Sequence, residues 1–489
     1  QSESSSMSRI VAGPFNRVEG DLEITLETGE DKVQRAEVNS PLYRGFERIL
    51  LGHKPMDALV YTPRICGICS VTQSVASARA LADAMGLSMP KNGELCTNLV
   101  LASENITDLI THFYLFFMPD FARDTYAGAS WFGDIQGRFK ATAGSASTQM
   151  LPARADFLHL MGLMAGKWPH TLSLQPGGVA KAIEPKERMR LLAIVAGFKR
   201  FLESTLFGDS LTTISQLKSE AELWQWYQQK PWHSSDFRRF LHVAEVQQLH
   251  QLGRATDHFL SFGAYGALDE PMWAAGSYRD GQTSPLDIAR IVEDHSHSWM
   301  SDTDHPHPPA QGITQPTLDN EAGYSWCKAP RLGHEVVEVG PLARQVVNGH
   351  PLMRDMISRH GGNVLSRVVA RLLEVAIVVG QMEEWVKQID PTAPFCHHGE
   401  MPAETSGVGL VEAARGALGH WLEVKNGKIS NYQIIAPTSW NFSPRDQHEQ
   451  PGALEQAVVG APVMNGEKTP VSVQHIVRSF DPCMACTVH

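Results

Sequence analysis

Asp481-Pro482-Cys483-Met484-Ala485-Cys486-Thr487-Val488-His489 are the last nine residues of the chain, and their Cys-x-x-Cys has a counterpart near the other end, in Arg64-Ile65-Cys66-Gly67-Ile68-Cys69. Two cysteines at this spacing turn their sulfurs to one side, so each pair offers two soft ligands to a metal. Joining the pairs makes a four-thiolate pocket and obliges the chain to fold its ends together. Structural zinc is one use of such a set. Zinc ribbons, however, gather their pairs locally in small domains that need the metal to fold, whereas 489 residues suffice to bury a core without one. A catalytic or redox metal that prefers thiolate, such as nickel, iron or copper, is the competing reading.

Composition narrows the class. The net charge of −11 comes without any cluster of Lys and Arg, which argues against a nucleic-acid or anionic-membrane surface. No apolar run has transmembrane length and no charged-then-apolar leader opens the chain, so a soluble, cytoplasmic protein without a membrane span is expected. Of seven cysteines, Cys96, Cys327 and Cys396 fall outside the two motifs and read as reduced thiols rather than a disulfide framework. Residues 1–6 read as a leader or expression remnant. No linker, charge run or low-complexity tract divides the rest, so residues 9–489 are expected to form one unit.

Periodicity predicts a mainly α protein with small β elements, an α+β fold built on a large helical bundle core. Leu22 to Leu26 alternate apolar and polar ahead of a Gly29-Glu30-Asp31 turn, which predicts an N-terminal β hairpin region. Val71 to Met85 and Glu94 to Phe117 carry helical spacing; Asp108 and His112 stand one turn apart on the second. His112 reads as a core histidine. Leu191–Leu206 and Leu217–Tyr227 give amphipathic stripes, with Trp224 and Trp226 as packing residues. Leu365 to Trp385 is apolar nearly all round, the pattern of a helix buried on most sides. Trp421 to Ile435, interrupted by Asn426-Gly427, predicts a C-terminal hairpin. His295, His297, His305 and His307, like Cys396-His397-His398, read as solvated loop.

The blocks around these elements resemble the large subunit of nickel-iron hydrogenases. Arg64-x-Cys66-Gly67-x-Cys69 and Asp481-Pro482-Cys483-x-x-Cys486-x-x-His489 are similar to that family's two metal motifs. Arg17-Val18-Glu19-Gly20, Arg44-Gly45-Phe46-Glu47, His112-Phe113-Tyr114, Lys328-Ala329-Pro330-Arg331, Glu338 to Arg344 and Arg415 to Trp421 follow the family's order across almost the whole chain. The resemblance implies that Cys66 and Cys483 bind nickel, that Cys69 and Cys486 bridge nickel to iron, and that the iron carries carbon monoxide and cyanide installed by maturation proteins. It implies a first proton relay of Cys483 and Glu19, supported by Arg415, Asp108 and Asp481, with Ala414, Arg415, Pro437 and Thr438 around the iron's ligands. Glu47 and His489 would hold a divalent ion, usually magnesium. Too few cysteines remain for an iron-sulfur cluster, so an iron-sulfur small subunit is the expected partner.

Three departures from the family's pattern stand out, of which the first and third bear on the kind of hydrogenase. Gln73 stands where the first motif usually has His, and Ala414 where Pro usually precedes the Arg. Ile68 and Phe116 are bulkier than the residues most members place on the path of gas to nickel, which should hinder oxygen more than hydrogen. The first and third traits, with an end at His489, resemble the hydrogen-sensing regulatory branch, which implies signalling to a sensor histidine kinase. A cytoplasmic uptake hydrogenase in energy metabolism is the alternative, followed by a zinc-stabilised scaffold and the related quinone-oxidoreductase core subunit. Intact Cys66, Cys69, Cys483 and Cys486 argue against the last.

Overall fold

The computed structural model describes residues 7–489, so the expected leader at 1–6 lies outside the described residues. The protein is 46% helix and 19% strand, the mixed and mainly helical class that the periodicity predicts. Its N-terminal sheet has three antiparallel strands, Ser8–Ala12, Glu23–Gly29 and Lys32–Asn39. Ile24, Leu26, Val33, Ala36 and Val38 face inward. Glu30 and Asp31 turn the second hairpin with φ of 55° and 60°, the left-handed pair that a two-residue turn between twisted strands requires.

The bundle follows. Helix Ser70–Met85 stops at Gly86, whose φ of 65° supplies the left-handed end. The next helix starts at Lys91, directly after the extended Pro90, rather than at Glu94, and its α-helical part ends at Thr111. His112–Phe117 continues it as a π-helical turn. The wider winding leaves the Phe116 carbonyl free to accept from Arg17 Nη1 at 2.7 Å. The Leu191–Leu206 stripe is likewise two pieces, Pro185–Phe201 and a π-helical turn at Leu202–Leu206. Trp226 is buried as expected, beneath the Arg238 guanidinium at 3.7 Å, and Trp224 is half-buried.

Helix Val364–Gln388 fulfils the all-round apolar pattern, with Val368, Val369, Leu372 and Val379 fully buried. Asn363 starts it: its side chain accepts from Ser366 N at 3.0 Å while Ser366 Oγ accepts from Asn363 N at 2.9 Å. Among its apolar residues lie Arg367, Arg371 and Glu374, all buried, so one face of this helix is polar inside the core over about two turns.

The expected C-terminal hairpin is the outer two-thirds of a three-stranded antiparallel sheet, Thr405–Ala413, Gly416–Lys425 and Lys428–Ile435. Asn426 and Gly427 make its second turn with φ of 52° and 72°. The strand that periodicity missed, Thr405–Ala413, carries Gly407 and Gly409 where apolar side chains would have marked it. Both glycines are there for closeness: a Cβ on Gly409 would stand 2.0 Å from the Ala76 carbonyl oxygen, and one on Gly407 2.1 Å from that of Ala80. The sheet thus lies directly on the backbone of helix Ser70–Met85. A second unpredicted sheet, Phe259–Gly266 with Pro271–Arg279 and Gln282–Ser284, packs beside helix Pro341–Asn348. His295 corrects another expectation. It is buried, with Nδ1 2.8 Å from the Ser301 carbonyl, although His305 is exposed as expected.

Gly409→Ala should lower stability by about 1–3 kcal/mol, because the helix must move off the sheet. Gly162→Ala, on an open stretch of helix Ser145–Ala165, should leave it unchanged or slightly raised. Urea unfolding of the two variants beside the parent checks both.

Candidate metal centre

Cys66 sits in extended backbone at the end of the Thr62–Ile65 turn, and Cys69 is the residue that opens helix Ser70–Met85. Cys483 opens the short turn Met484–Thr487, which also carries Cys486. All four sulfurs lie within 4.8 Å of one another, buried, and none is in a disulfide. This is the cluster that the two motifs predict. Cys66 is driven to the thiolate because the neighbouring thiols, Cys483 foremost, donate to it.

The C-terminal turn is fastened from several elements. Met484 N donates to the Glu19 carbonyl at 2.7 Å, so Glu19 and Cys483 form a parallel bridge between the two ends of the chain. The approach is close enough to need Gly20, whose φ is +80° and whose Cβ would meet Met484 Cβ at 3.0 Å. Cys483 N donates to Thr438 Oγ1 at 3.1 Å, Ser439 Oγ to the Thr487 carbonyl at 2.7 Å, and Arg44 to the carbonyls of Ile65 and Ala485. Arg44 thereby ties both cysteine motifs together.

Arg415 occupies the two-residue loop, Ala414-Arg415, that joins strands Thr405–Ala413 and Gly416–Lys425. Its Nη1 donates to Asp108 Oδ2 at 2.6 Å, its Nη2 to Asp481 Oδ1 at 3.2 Å and its Nε to the Asp481 carbonyl at 2.8 Å. The three expected residues therefore form one buried cluster beside the sulfurs. Burial raises Asp108 to about 7, helped by Asp481 and opposed by Arg415. Glu19 is raised too, by burial and then by the Cys66 thiolate. A carboxyl whose charged form is disfavoured in this way holds a proton readily.

Glu19 and Asp108 line one cavity with Ile68, Phe116, Glu104, Arg154 and Trp168, so the two expected gas-path side chains border the two acids. A smaller, mostly apolar cavity lies against Cys69, Cys483 and Cys486 and is lined by Arg415, Pro437, Thr438 and Gln73. Ala414 is buried but its carbonyl accepts from Arg344, and Ala413 lines this cavity instead.

Glu47 does not pair with Arg44 or Arg48. His489 Nδ1 lies 2.6 Å from Glu47 Oε1, Thr314 Oγ1 donates to Oε2 at 2.5 Å, and Lys328 Nζ is 3.8 Å away. Burial alone would raise this acid, but His489 and Lys328 hold it down at about 2. His489 Nε2 and Glu293 Oε1 are buried in the same pocket without a hydrogen-bond partner among the described residues, Lys328 Nζ standing 3.8 Å from Glu293 Oε1. Two orphaned donor atoms beside an ionised carboxylate fit a bound divalent cation.

Several residues that matter here carried no assigned role in the sequence reading. Arg344 is fully buried and donates to Glu374, Glu412 and the carbonyls of Ala413 and Ala414, so it fixes the loop bearing Arg415. Glu104 accepts from Val71 N and Thr72 N at 2.9 and 3.0 Å and so caps the helix that Cys69 opens. Asp120 gathers Arg17, His475 Nδ1 at 3.0 Å and Arg478 Nη1 at 2.7 Å. Arg17 precedes Glu19 by two residues and Arg478 precedes Asp481 by three, so one carboxylate holds both halves of the site. Charged side chains set among the apolar residues of a helix, as Glu374 is in Val364–Gln388, were the available signal.

The family described as nickel-dependent hydrogenase matches residues 44–128 and 142–489. The chain is 30% identical to the periplasmic [NiFeSe] hydrogenase large subunit of Desulfomicrobium baculatum, over 98% of this chain and 95% of that one. It is 29% identical to the hydrogenase-2 large chain of Escherichia coli (98% and 97%), and 26% to the uptake hydrogenase large subunit of Cupriavidus necator (98% and 95%). Among solved structures, the Ni-Fe-Se hydrogenase of D. vulgaris Hildenborough in its reduced state superposes with a TM-score of 0.83 at 28% identity, over 99% of this chain and 100% of that one.

Asp120→Asn should cost about 3–5 kcal/mol at neutral pH, since it leaves Arg17, Arg478 and His475 without their anion. Burial raises Asp120, but His475 and Arg478 outweigh it and hold the acid below its ordinary 3.8. Its stabilisation is therefore present above that value and is lost as pH falls beneath it. Thermal unfolding from pH 6 to pH 2 should fall more steeply in the parent than in the variant.

Proposed function

The chain belongs to the nickel-dependent hydrogenases as a large subunit, a family of oxidoreductases acting on H2, and from that premise we propose that it splits H2 heterolytically in the cytoplasm as an oxygen-tolerant hydrogen sensor. The observation that carries the catalytic part is the set of four buried sulfurs within 4.8 Å, with Glu19 bridged to Cys483. Cys66 and Cys483 would hold nickel, and Cys69 and Cys486 would be shared with iron. When bound, the metal pair supplies the Lewis acidity and electron acceptance that H2, a weak acid with no polar handle, requires.

The chain's own residues do the rest. Cys483 and Glu19 take the proton: a sulfur that would be a thiolate once metal is bound and a carboxyl that burial disposes to hold a proton, their backbones bridged by the bond from Met484 N to the Glu19 carbonyl. Arg415, kept charged and held by Asp108 and Asp481, presents a fixed positive charge where charge separates. Arg415, Pro437 and Thr438 wall the small cavity that would take the iron's carbon monoxide and cyanide. Glu47 and His489 would hold magnesium. Electrons would leave through the clusters of an iron-sulfur small subunit, since the cysteines outside the site, Cys96, Cys327 and Cys396, are too few and too scattered in the sequence to hold a cluster.

Support for the sensor role comes from Ile68, Phe116 and Gln73. The first two border the cavity of Glu19 and Asp108, where bulk hinders oxygen more than hydrogen. The second reading, an uptake enzyme, is favoured by relatives named as uptake hydrogenases. Deleting the gene separates them: loss of H2-dependent transcription with H2 consumption retained supports the sensor, and loss of consumption itself supports the uptake enzyme.

Infrared spectra of the complex with its small subunit should show carbon monoxide and cyanide bands that shift under H2. Cys483→Ser should abolish that response together with hydrogen–deuterium exchange, and full activity in the variant would sink the mechanism. Ile68→Val combined with Phe116→Leu should speed inactivation by oxygen several-fold, read as activity remaining after timed exposure to air. An unchanged rate would remove side-chain bulk as the cause.

A further inference from the structure

Gln73 stands in the first turn of helix Ser70–Met85, one turn past Cys69, and its side chain lines the cavity of Cys69, Cys486, Arg415 and Thr438. His420 Nε2 lies 2.7 Å from Gln73 Oε1, and His420 Nδ1 lies 2.5 Å from the Tyr432 hydroxyl. Gln73 is 1% exposed, His420 and Tyr432 not at all. The direction of every hydrogen bond in this line follows from counting donors. The Tyr432 hydroxyl has no other partner among the described residues, and a buried O–H must donate, so it donates to Nδ1. Burial keeps the ring neutral, with its pKa lowered to about 3. A neutral imidazole that accepts at Nδ1 carries its hydrogen on Nε2. That hydrogen goes to Gln73 Oε1. The amide cannot then be turned round, and its NH2 group is left on the other side, against the cavity, where no protein acceptor meets it.

We propose that Tyr432 and His420 are positioning residues that lock Gln73 as a hydrogen-bond donor to an acceptor ligand in this cavity, the cyanide of the iron on the reading above. The inference rests on that reading of the metal centre. It gives Gln73 a definite polarity: without Tyr432 the ring is free to carry its hydrogen on Nδ1, and the amide is free to turn its NH2 to Nε2 and present oxygen to the cavity instead.

The test is infrared spectroscopy on the purified complex with its small subunit, comparing the parent with Tyr432→Phe, Gln73→Leu and the double variant. Tyr432→Phe removes one oxygen atom and keeps the ring that packs the sheet. One cyanide stretching band should move in the same sense in both single variants, and the double variant should move it no further than Gln73→Leu. A lower Tm with every band in place would mark Tyr432 as merely structural and overturn the proposal. A shift in Gln73→Leu but not in Tyr432→Phe overturns the relay. Absence of these bands from the parent itself removes the acceptor and brings down the hydrogenase reading together with the proposal, whereas bands present but unmoved bring down the proposal alone.

Discussion

Everything at the centre depends on a backbone hydrogen bond of 2.7 Å, from Met484 N to the Glu19 carbonyl. It makes neighbours of residues from opposite ends of the chain, and a single such bond contributes only about 1 kcal/mol net. It persists because the surroundings leave the two segments nowhere else to go. Asp120 binds Arg17 on one side and His475 and Arg478 on the other. Arg44 reaches the carbonyls beside both cysteine motifs. The Phe46 amide donates to the His489 carbonyl at 2.6 Å. Closure is the sum of these ties, each from a different element, so the sulfurs converge only when the whole bundle has formed.

The buried charges serve the same end. Arg344, Glu374 and Glu412 lie together in the core, and ion pairs of this kind are weak sources of net stability because desolvation offsets the attraction. What they supply is geometry. Arg344 takes the carbonyls of Ala413 and Ala414, and the next residue is Arg415. A loop of two residues held by a fully buried guanidinium has little freedom, so the positive charge beside the sulfurs is fixed before any substrate arrives.

Legibility in the sequence followed physical origin. The helices Ser70–Met85 and Val364–Gln388 were readable because their apolar spacing survives burial, and the turn at Asn426-Gly427 because left-handed backbone selects those residues. The strand Thr405–Ala413 was hidden by the two glycines that its contact with helix Ser70–Met85 demands. The π-helical turn at His112–Phe117 left no trace in spacing either. In the site, the four cysteines were legible from spacing, while the roles of Glu19, Asp108 and Arg415 came only through the family resemblance. Asp120, Glu104 and Arg344 act through partners distant in sequence, and a single sequence carries no record of such pairings.

The approach of the chain to Cys483 shows how these parts combine. Three carbonyls at and just beyond the end of helix Val471–Ser479 accept side-chain donors, the first of them, of Arg478, in addition to the Asp481 amide at 3.1 Å. The first, of Arg478, receives His112 Nε2 at 2.6 Å; that of Ser479 receives Arg371; that of Asp481 receives Arg415 Nε at 2.8 Å. The donors come from the helix Lys91–Thr111 and its π-helical extension, from Val364–Gln388 and from the loop of the C-terminal sheet. Arg371 forms no ion pair among the described residues, and the nearby Asp481 carboxylate and the negative end of this helix offset its charge. Asp481 then takes a φ of 52°, uncommon for a residue with a side chain, and the chain turns toward the thiols. Satisfying those carbonyls from three directions leaves the backbone only this path, so the strained residue and the direction of the Cys483 sulfur are consequences of the same packing.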